Sequence, residues 1–280
     1  RAPVGGAPTA EEVDKTLSQS KYDIVTVTHV DTSTGVLADV PGIAAAARRH
    51  GVLCLVDGVC SIAAEAMQMD EWGVDLALTG SQKALAVPPG LAVLVAGPRA
   101  LAAFRARQTP VANYYADWTS WLPIMQAYEA RRPSYFGTPA VSLVKALEVS
   151  LEQILTEGMG PRVARHQRLS QAFKAGITAL GMKQVPRQPA LAANTLTAAY
   201  YPPGVDATLL KHINAAGVIV ASGIHSEIRD RYFRVGHMGP VTQGDILTTL
   251  GAIESALVNV GYSFKHGTGV AAAQAALDAG

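Results

Sequence analysis

What this 280-residue sequence lacks narrows its chemistry first. It has no apolar run near the ~20 residues that a membrane-spanning helix needs. Its slightly positive mean hydropathy therefore comes from short Ala, Val and Leu segments. Charge is sparse: 16% of residues, with a net formal charge of +1. No basic cluster exceeds a pair such as Arg131-Arg132. That argues against nucleic acid or an anionic membrane surface as a partner. Cysteine is scarcer still. Cys54 and Cys60 lie in or beside one apolar segment, where strand geometry disfavours a bridge, so a reducing, intracellular compartment is expected. The seven histidines show no metal-ligand spacing, and no metal is expected. Glycine and proline are scattered, which excludes collagen-like and low-complexity chains. No signal peptide is visible, and Leu277-Asp278-Ala279-Gly280 is not a Ser-Lys-Leu peroxisomal tail. The sequence opens on Arg1 rather than Met, so a missing N-terminal segment is expected.

What is present reads as α/β. Thr9-Ala10-Glu11-Glu12 resembles a capping box that opens a helix. Asp23 to Val30 is a β-branched strand, and Pro41 to His50 a helix ended by Gly51. Val52 to Val56, Val74 to Leu78 and Leu91 to Val95 are short apolar runs of buried-strand type. Strands separated by helix-length segments predict a mostly parallel sheet. Gln108 to Pro133 is aromatic-rich and reads as irregular, its tyrosines and tryptophans suited to a domain or subunit surface. A long helical region starts at Pro139, breaks near Gly158-Met159-Gly160-Pro161 and resumes from Arg162 to Leu180. The remainder reads as a smaller α+β unit: strands at 195–201, 218–221 and 232–235, and helices at 206–216 and 243–258. The expected division is 1–160, part of a large domain, and 161–280, a small C-terminal domain.

Three segments follow predicted strands: Thr28-His29-Val30-Asp31-Thr32-Ser33-Thr34-Gly35, Val56-Asp57-Gly58-Val59, and Thr79-Gly80-Ser81-Gln82-Lys83. Ligands of open parallel sheets bind outside the carboxyl ends of the strands, so the three converge on one crevice. Their residue types suit pyridoxal phosphate. Such an enzyme needs a lysine to form an imine with the aldehyde, for which Lys83 is the candidate. It also needs a carboxylate against the pyridine nitrogen, for which Asp57 is the candidate. A free lysine is a poor nucleophile near neutral pH, and desolvation beside a cationic ring would lower its pKa.

Val56-Asp57-Gly58-Val59-Cys60-Ser61, then Gly80-Ser81-Gln82-Lys83-Ala84-Leu85 with Pro88-Pro89-Gly90, resembles the class V (fold type I) aminotransferases. Within these it is most similar to the alanine–glyoxylate and serine–pyruvate (serine–glyoxylate) aminotransferase family, from about Tyr22 to about Val258. The resemblance implies that Lys83 carries pyridoxal 5'-phosphate as an internal aldimine and shuttles the proton. It implies that Asp57 pairs with the pyridine nitrogen and Thr32 bonds near the ring hydroxyl. Val59 packs on the ring, and Gln82 reaches the phosphate. Arg234, in Phe233-Arg234-Val235-Gly236, grips the substrate carboxylate. Tyr135 and Thr138 reach the phosphate of a neighbouring subunit, which implies a homodimer with shared sites. The implied reaction moves an amino group from alanine or serine to glyoxylate or pyruvate, ping-pong through pyridoxamine phosphate. The family carries roughly a hundred further residues ahead of this region, with a Gly-rich phosphate loop and a ring-stacking aromatic. The fragment alone is expected to be weakly active or inactive.

Blander roles compete at each position. Asp57 could be a helix cap, Arg234 a structural ion-pair arginine, and Thr138 an N-cap ahead of Pro139. His29 reads as a satisfied strand-end histidine rather than an acid–base group. Cysteine desulfuration needs a mobile cysteine late in the chain, and none follows Cys60. A truncated, non-catalytic homologue that does not retain cofactor is the remaining alternative.

Overall fold

The computed structural model describes residues 2–279; Arg1 and Gly280 of the sequence lie outside the described residues. In chain order the elements are α1 (Ala10–Gln19), β1 (Ile24–Thr28), α2 (Val40–Arg49), β2 (Leu53–Asp57), α3 (Met69–Trp72), β3 (Leu76–Gly80), β4 (Ala92–Ala96) and α4 (Pro98–Arg105). Then come α5 (Trp118–Glu129), α6 (Val141–Glu157), α7 (Met159–Ala179), β5 (Leu196–Tyr200), α8 (Leu209–Ala215), β6 (Ala221–Ser222), β7 (Tyr232–Gly236), α9 (Gln243–Asn259) and α10 (Thr268–Ala279).

Two sheets organise the chain. The first has the order β1-β2-β3-β4. Its first three strands are parallel, and β4 runs antiparallel to β3. Thr28 pairs with Asp57 and Asp57 with Leu78, so β1 and β2 end level and β3 runs two residues further, to Gly80. Alternate residues of β2, Cys54 and Val56, are buried against Val40, Ile43 and Ala47 of α2. The N-termini of the first helices form as their sequences require. Thr9 accepts from the Glu12 amide at 3.2 Å while the Glu12 carboxylate accepts from the Thr9 amide at 2.9 Å. Asp39 caps α2 through the Gly42 amide, with Pro41 in the first turn.

The second sheet, order β5-β7-β6, is antiparallel throughout. It packs with α7, α9 and α10 around a core centred on Phe173, Ile177, Phe233, Leu250 and Leu257. Glycine lets α7 and α9 approach closely. A Cβ on Gly176 would stand 2.5 Å from Leu250 Cδ1, well inside contact distance. Gly158, at φ +82°, ends α6 and starts α7, so the helical region breaks where its sequence predicts.

Three expectations change. Residues 108–133 are not wholly irregular: Asp117 accepts from the Thr119 amide and starts α5, which carries Pro123 in its interior at the loss of one backbone donor. Its Trp121 ring meets Tyr115 and Phe136 at 5.2 and 5.1 Å, in a surface cluster where Tyr114 and Tyr115 are exposed. Residues 218–220 are not strand. They connect the Ala216-Gly217 turn that ends α8 to β6, and pairing with β7 begins only at Ala221. Thr138 does not cap α6, because the cap position falls on Ala140 without a side-chain bond. The sequence reading also assigned nothing to the stretch that forms α10.

No helix among the described residues is long and apolar enough to cross a membrane. Both cysteines are free and buried.

Candidate active site

The site lies at the carboxyl ends of β1, β2 and β3. Asp57 is the last residue of β2. Its Oδ1 accepts from the Val59 amide at 3.0 Å, and no described residue donates to Oδ2. Gly58 follows because the chain turns against β3. Its amide donates to Leu78 O at 2.9 Å, and a Cβ there would meet Ile62 at 2.5 Å. Lys83 follows β3 by three residues in a turn closed by Ala86 N–Lys83 O and Val87 N–Ser81 O bonds, both 2.9 Å. The buried Ser81 hydroxyl donates to Pro88 O at 2.8 Å and accepts from the Leu91 amide at 3.2 Å. Ala86 sits in the left-handed region at φ +57°, so the turn is held against a local steric cost.

Arg162 of α7 supports this turn from beneath. It is 5% exposed, and it donates to Ala84 O at 2.8 Å and to Ala63 O at 2.6 Å. Glu157 neutralises it at 2.7 Å and also pairs with Arg165 at 2.6 Å. Those guanidinium contacts, the Arg165 hydrogen bond first, hold the Glu157 carboxyl down at about 2. Gly239 packs beside the Lys83 and Ala84 carbonyls at φ +84°.

The third wall is the turn from Asp31 to Gly35. The Asp31 carboxylate accepts from the Ser33 amide at 2.8 Å, the Ser33 hydroxyl at 2.7 Å and the Thr34 hydroxyl at 2.5 Å. This self-bonded turn presents Thr32, whose hydroxyl lies 3.0 Å from Cys60 Sγ. Arg234 of β7 donates through Nη1 to Thr32 O at 3.0 Å and through Nε to Ser222 O at 2.9 Å. Two of its five N–H groups are thereby committed, and three face no described acceptor.

The structure thus bonds Asp57 to Val59 and Thr32 to Arg234, links the two pairs through Cys60, which follows Val59 and touches Thr32, and sets Gln82 and Lys83 past the end of the neighbouring strand. A Cβ on Gly80 would stand 2.8 Å from Gln82 Oε1, so that side chain folds back over the strand terminus. Tyr135 and Thr138 are not brought to this crevice. Both lie exposed in the loop before α6, Tyr135 at 70%. His29 is not a satisfied histidine: its Nδ1 is buried without a partner, and its ring stands edge-on to Trp72 at 6.1 Å. Burial lowers its pKa to about 4.

Sequence reasoning missed three contributors. Cys60 touches the Thr32 hydroxyl. Arg162 supports the lysine turn. Tyr232 donates to Ser33 O at 2.5 Å. Their partners are remote in sequence, and no local pattern announces them. A cleft of about 950 Å³, lined by Asp23, Val52, Arg99 and Phe104, opens at the amino ends of β1 and β2. That is the wrong end of a parallel sheet for its ligand.

The residues present fit pyridoxal phosphate. The half-buried Lys83 ammonium has neither a hydrogen bond nor an ion pair with any described residue, Asp57 included. Asp57 keeps one oxygen open for a pyridinium N–H, and Thr32 offers a hydroxyl beside it.

The class V aminotransferase family model matches residues 2–238. The chain is 41% identical over 244 residues to alanine–glyoxylate aminotransferase 1 of Saccharomyces cerevisiae, covering 84% of this chain and 62% of that protein. It is 34% identical to the L-aspartate–glyoxylate aminotransferase of Paracoccus denitrificans, covering 97% and 68%. Against the serine–glyoxylate aminotransferase of Arabidopsis thaliana it is 35% identical, covering 89% and 61%. The chain thus spans 61–68% of the length of these relatives. Among solved structures, pyridoxamine–pyruvate aminotransferase from Mesorhizobium loti superposes with a TM-score of 0.91 at 30% identity, covering 99% of this chain and 71% of that one. Ureidoglycine–glyoxylate aminotransferase from Bacillus subtilis gives 0.90 at 25%, with the same coverage. The architecture is that of the fold type I transferases, and the chain belongs to the class V aminotransferase family.

Proposed function

We propose that this chain carries the lysine and carboxylate of a pyridoxal-phosphate aminotransferase that moves the amino group of alanine or serine to glyoxylate or pyruvate. The observation that supports this reading is the placement of Asp57 at the carboxyl end of β2 and of Lys83 in the turn just past the carboxyl end of the adjacent parallel β3, with the Thr32 turn after β1 tied to Arg234. The names of the relatives support glyoxylate as acceptor, and they vary in the donor.

When bound, pyridoxal phosphate supplies an electron sink that makes the substrate α-hydrogen acidic. Lys83 Nζ would hold the group through its aldehyde and would be the base that takes and returns the substrate α-proton. The open Asp57 oxygen would accept from a protonated ring nitrogen. The Thr32 hydroxyl would bond beside the ring oxygen, Val59 would pack against the ring, and Gln82 would reach toward the phosphate. Arg234 would offer its uncommitted N–H groups to the substrate carboxylate as a fork, which would orient the α-hydrogen toward Lys83. Amino donor and oxo-acid acceptor would use the same residues in turn, in a ping-pong order. We assign Tyr135 and Thr138 to the phosphate of a second copy in a homodimer. Their exposure, away from the Lys83 crevice of their own chain, supports this. We divide the chain near residue 160, between the unit of the first sheet and that of the second.

The deciding measurement is the absorbance spectrum of the purified chain with added pyridoxal phosphate, beside Lys83→Ala. A visible band in the parent that alanine or serine bleaches, and that Lys83→Ala lacks, is the expected result. An equal band in Lys83→Ala would remove the assignment. A parent without the band would favour a non-catalytic fragment. Desulfuration is disfavoured because the last cysteine, Cys60, is buried against Thr32.

A further inference from the structure

Tyr232 and Arg234 are two residues apart on β7 and so project from the same face. Both reach the same two segments. Arg234 donates to Thr32 O and Ser222 O. The Tyr232 hydroxyl donates to Ser33 O at 2.5 Å and accepts from the Ile224 and His225 amides, each at 3.0 Å. One donor and two acceptor positions are all a phenol has, so this hydroxyl is fully used. The residue is 0% exposed. Gly223 lies so close to its ring that an added Cβ would stand 2.5 Å from Cε1, and the ring has no room to shift. Without the oxygen, two amides and one carbonyl in half-buried or exposed segments would lose this partner, and nothing else would tie the two segments together through this side chain.

We propose that the Tyr232 hydroxyl is a positioning group that couples the two halves of the site. It fixes the Thr32 turn, which faces the cofactor, to the 222–225 segment that orients Arg234, which faces the substrate carboxylate. This rests on the assignment of Thr32 and Arg234 made above. The arrangement makes cofactor affinity and substrate affinity depend on one hydroxyl that touches neither ligand. A tyrosine that served packing alone would contribute through its ring, which phenylalanine keeps.

The test compares Tyr232→Phe with the parent chain and with Leu250→Ala. Leu250 is fully buried in the C-terminal core, in the cluster with Phe233 on the opposite face of β7 from Tyr232, and takes part in none of these hydrogen bonds, so its truncation lowers stability without removing any of them. Amide hydrogen exchange of the chain without cofactor is expected to quicken about tenfold at residues 33–35 as well as at Ile224 and His225, beyond any general change in Leu250→Ala. Absorbance titrations are expected to show about tenfold weaker binding of pyridoxal phosphate. They should also show about tenfold weaker binding of 2-methylalanine, an amino acid with no α-hydrogen. Leu250→Ala should leave both affinities unchanged. Exchange at residues 33–35 that matches the parent would overturn the coupling, as would affinities in Tyr232→Phe within about twofold of the parent. A parent chain that shows no cofactor band would defeat the site assignment instead, and the exchange comparison would still decide the coupling.

Discussion

Glu157→Gln removes one charge from the support beneath the lysine turn. The parent carboxylate accepts from Arg162 at 2.7 Å and from Arg165 at 2.6 and 3.1 Å. Arg162 in turn holds the carbonyls of Ala84 and Ala63. The folded chain lowers the Glu157 pKa from 4.5 to about 2. That shift corresponds to ~3 kcal/mol at most. The carboxylate is 27% exposed, and solvent screening brings the expected contribution to about 1–2 kcal/mol. Because the folded-state pKa is depressed, this stabilisation is complete above about 4.5 and is lost as pH falls toward 2. Urea unfolding of parent and variant from pH 7 to pH 2 reads it as a difference. The difference matters because His29 and His237, with pKa values lowered to about 4 and about 3, weaken both chains in acid. A parent-minus-variant gap that is flat from pH 5 to pH 2 would refute the reasoning, as would no gap at pH 7.

Two further outcomes follow from burial. Phe173→Ala empties a fully buried ring from the C-terminal core and is expected to cost about 3–5 kcal/mol in urea unfolding; a loss below about 1 kcal/mol would mean that the core collapses around the gap. His29→Phe keeps an aromatic beside Trp72 and removes a buried base that must stay neutral. Since the folded pKa is lowered, the parent should lose stability as pH falls from 6.5 toward about 4, and the variant should lose less, because only the other buried histidines, His237 first among them, still contribute. Superimposable profiles across that window would contradict the assignment of a buried, neutral imidazole.

The strands that carry the site were legible because each is an apolar run stopped by a polar or glycine residue. Asp57 and Gly58 end β2, and Gly80 ends β3. Boundaries slipped where side chains intervene. Val74-Asp75 reads as strand, but the Asp75 carboxylate accepts from the Cys54 amide and Arg99, and β3 begins at Leu76. Helix α5 was obscured by its aromatics and Pro123. Helix α10 has an alanine-rich sequence that propensity alone favours, yet it falls beyond the stretch where the family resemblance drew attention. The supporting contacts had no local signature at all. Tyr232 meets Ser33 across 199 residues, and Arg162 meets Ala63 across 99. A single tyrosine in an apolar strand reads as core, and only the fold shows where its hydroxyl goes.

Those long-range contacts bear on how the two sheets share one site. Beyond Arg162, Tyr232 and Arg234, the Thr195 hydroxyl donates to Cys60 O at 2.6 Å, and the Glu65 carboxylate accepts from the Asn194 side chain at 2.9 Å. Every one of these bonds joins a residue before 90 to one after 160. They converge on the turns that follow β1, β2 and β3, the same turns that carry Thr32, Asp57 and Lys83. A buried guanidinium such as Arg162 would be left without its carbonyl partners if the units separated, at a cost far above that of an exposed pair. The C-terminal unit therefore does more than lend Arg234 to a site built elsewhere. It sets the backbone of the turns proposed to face the cofactor, so the proposed division near residue 160 would separate the sheets without separating the site.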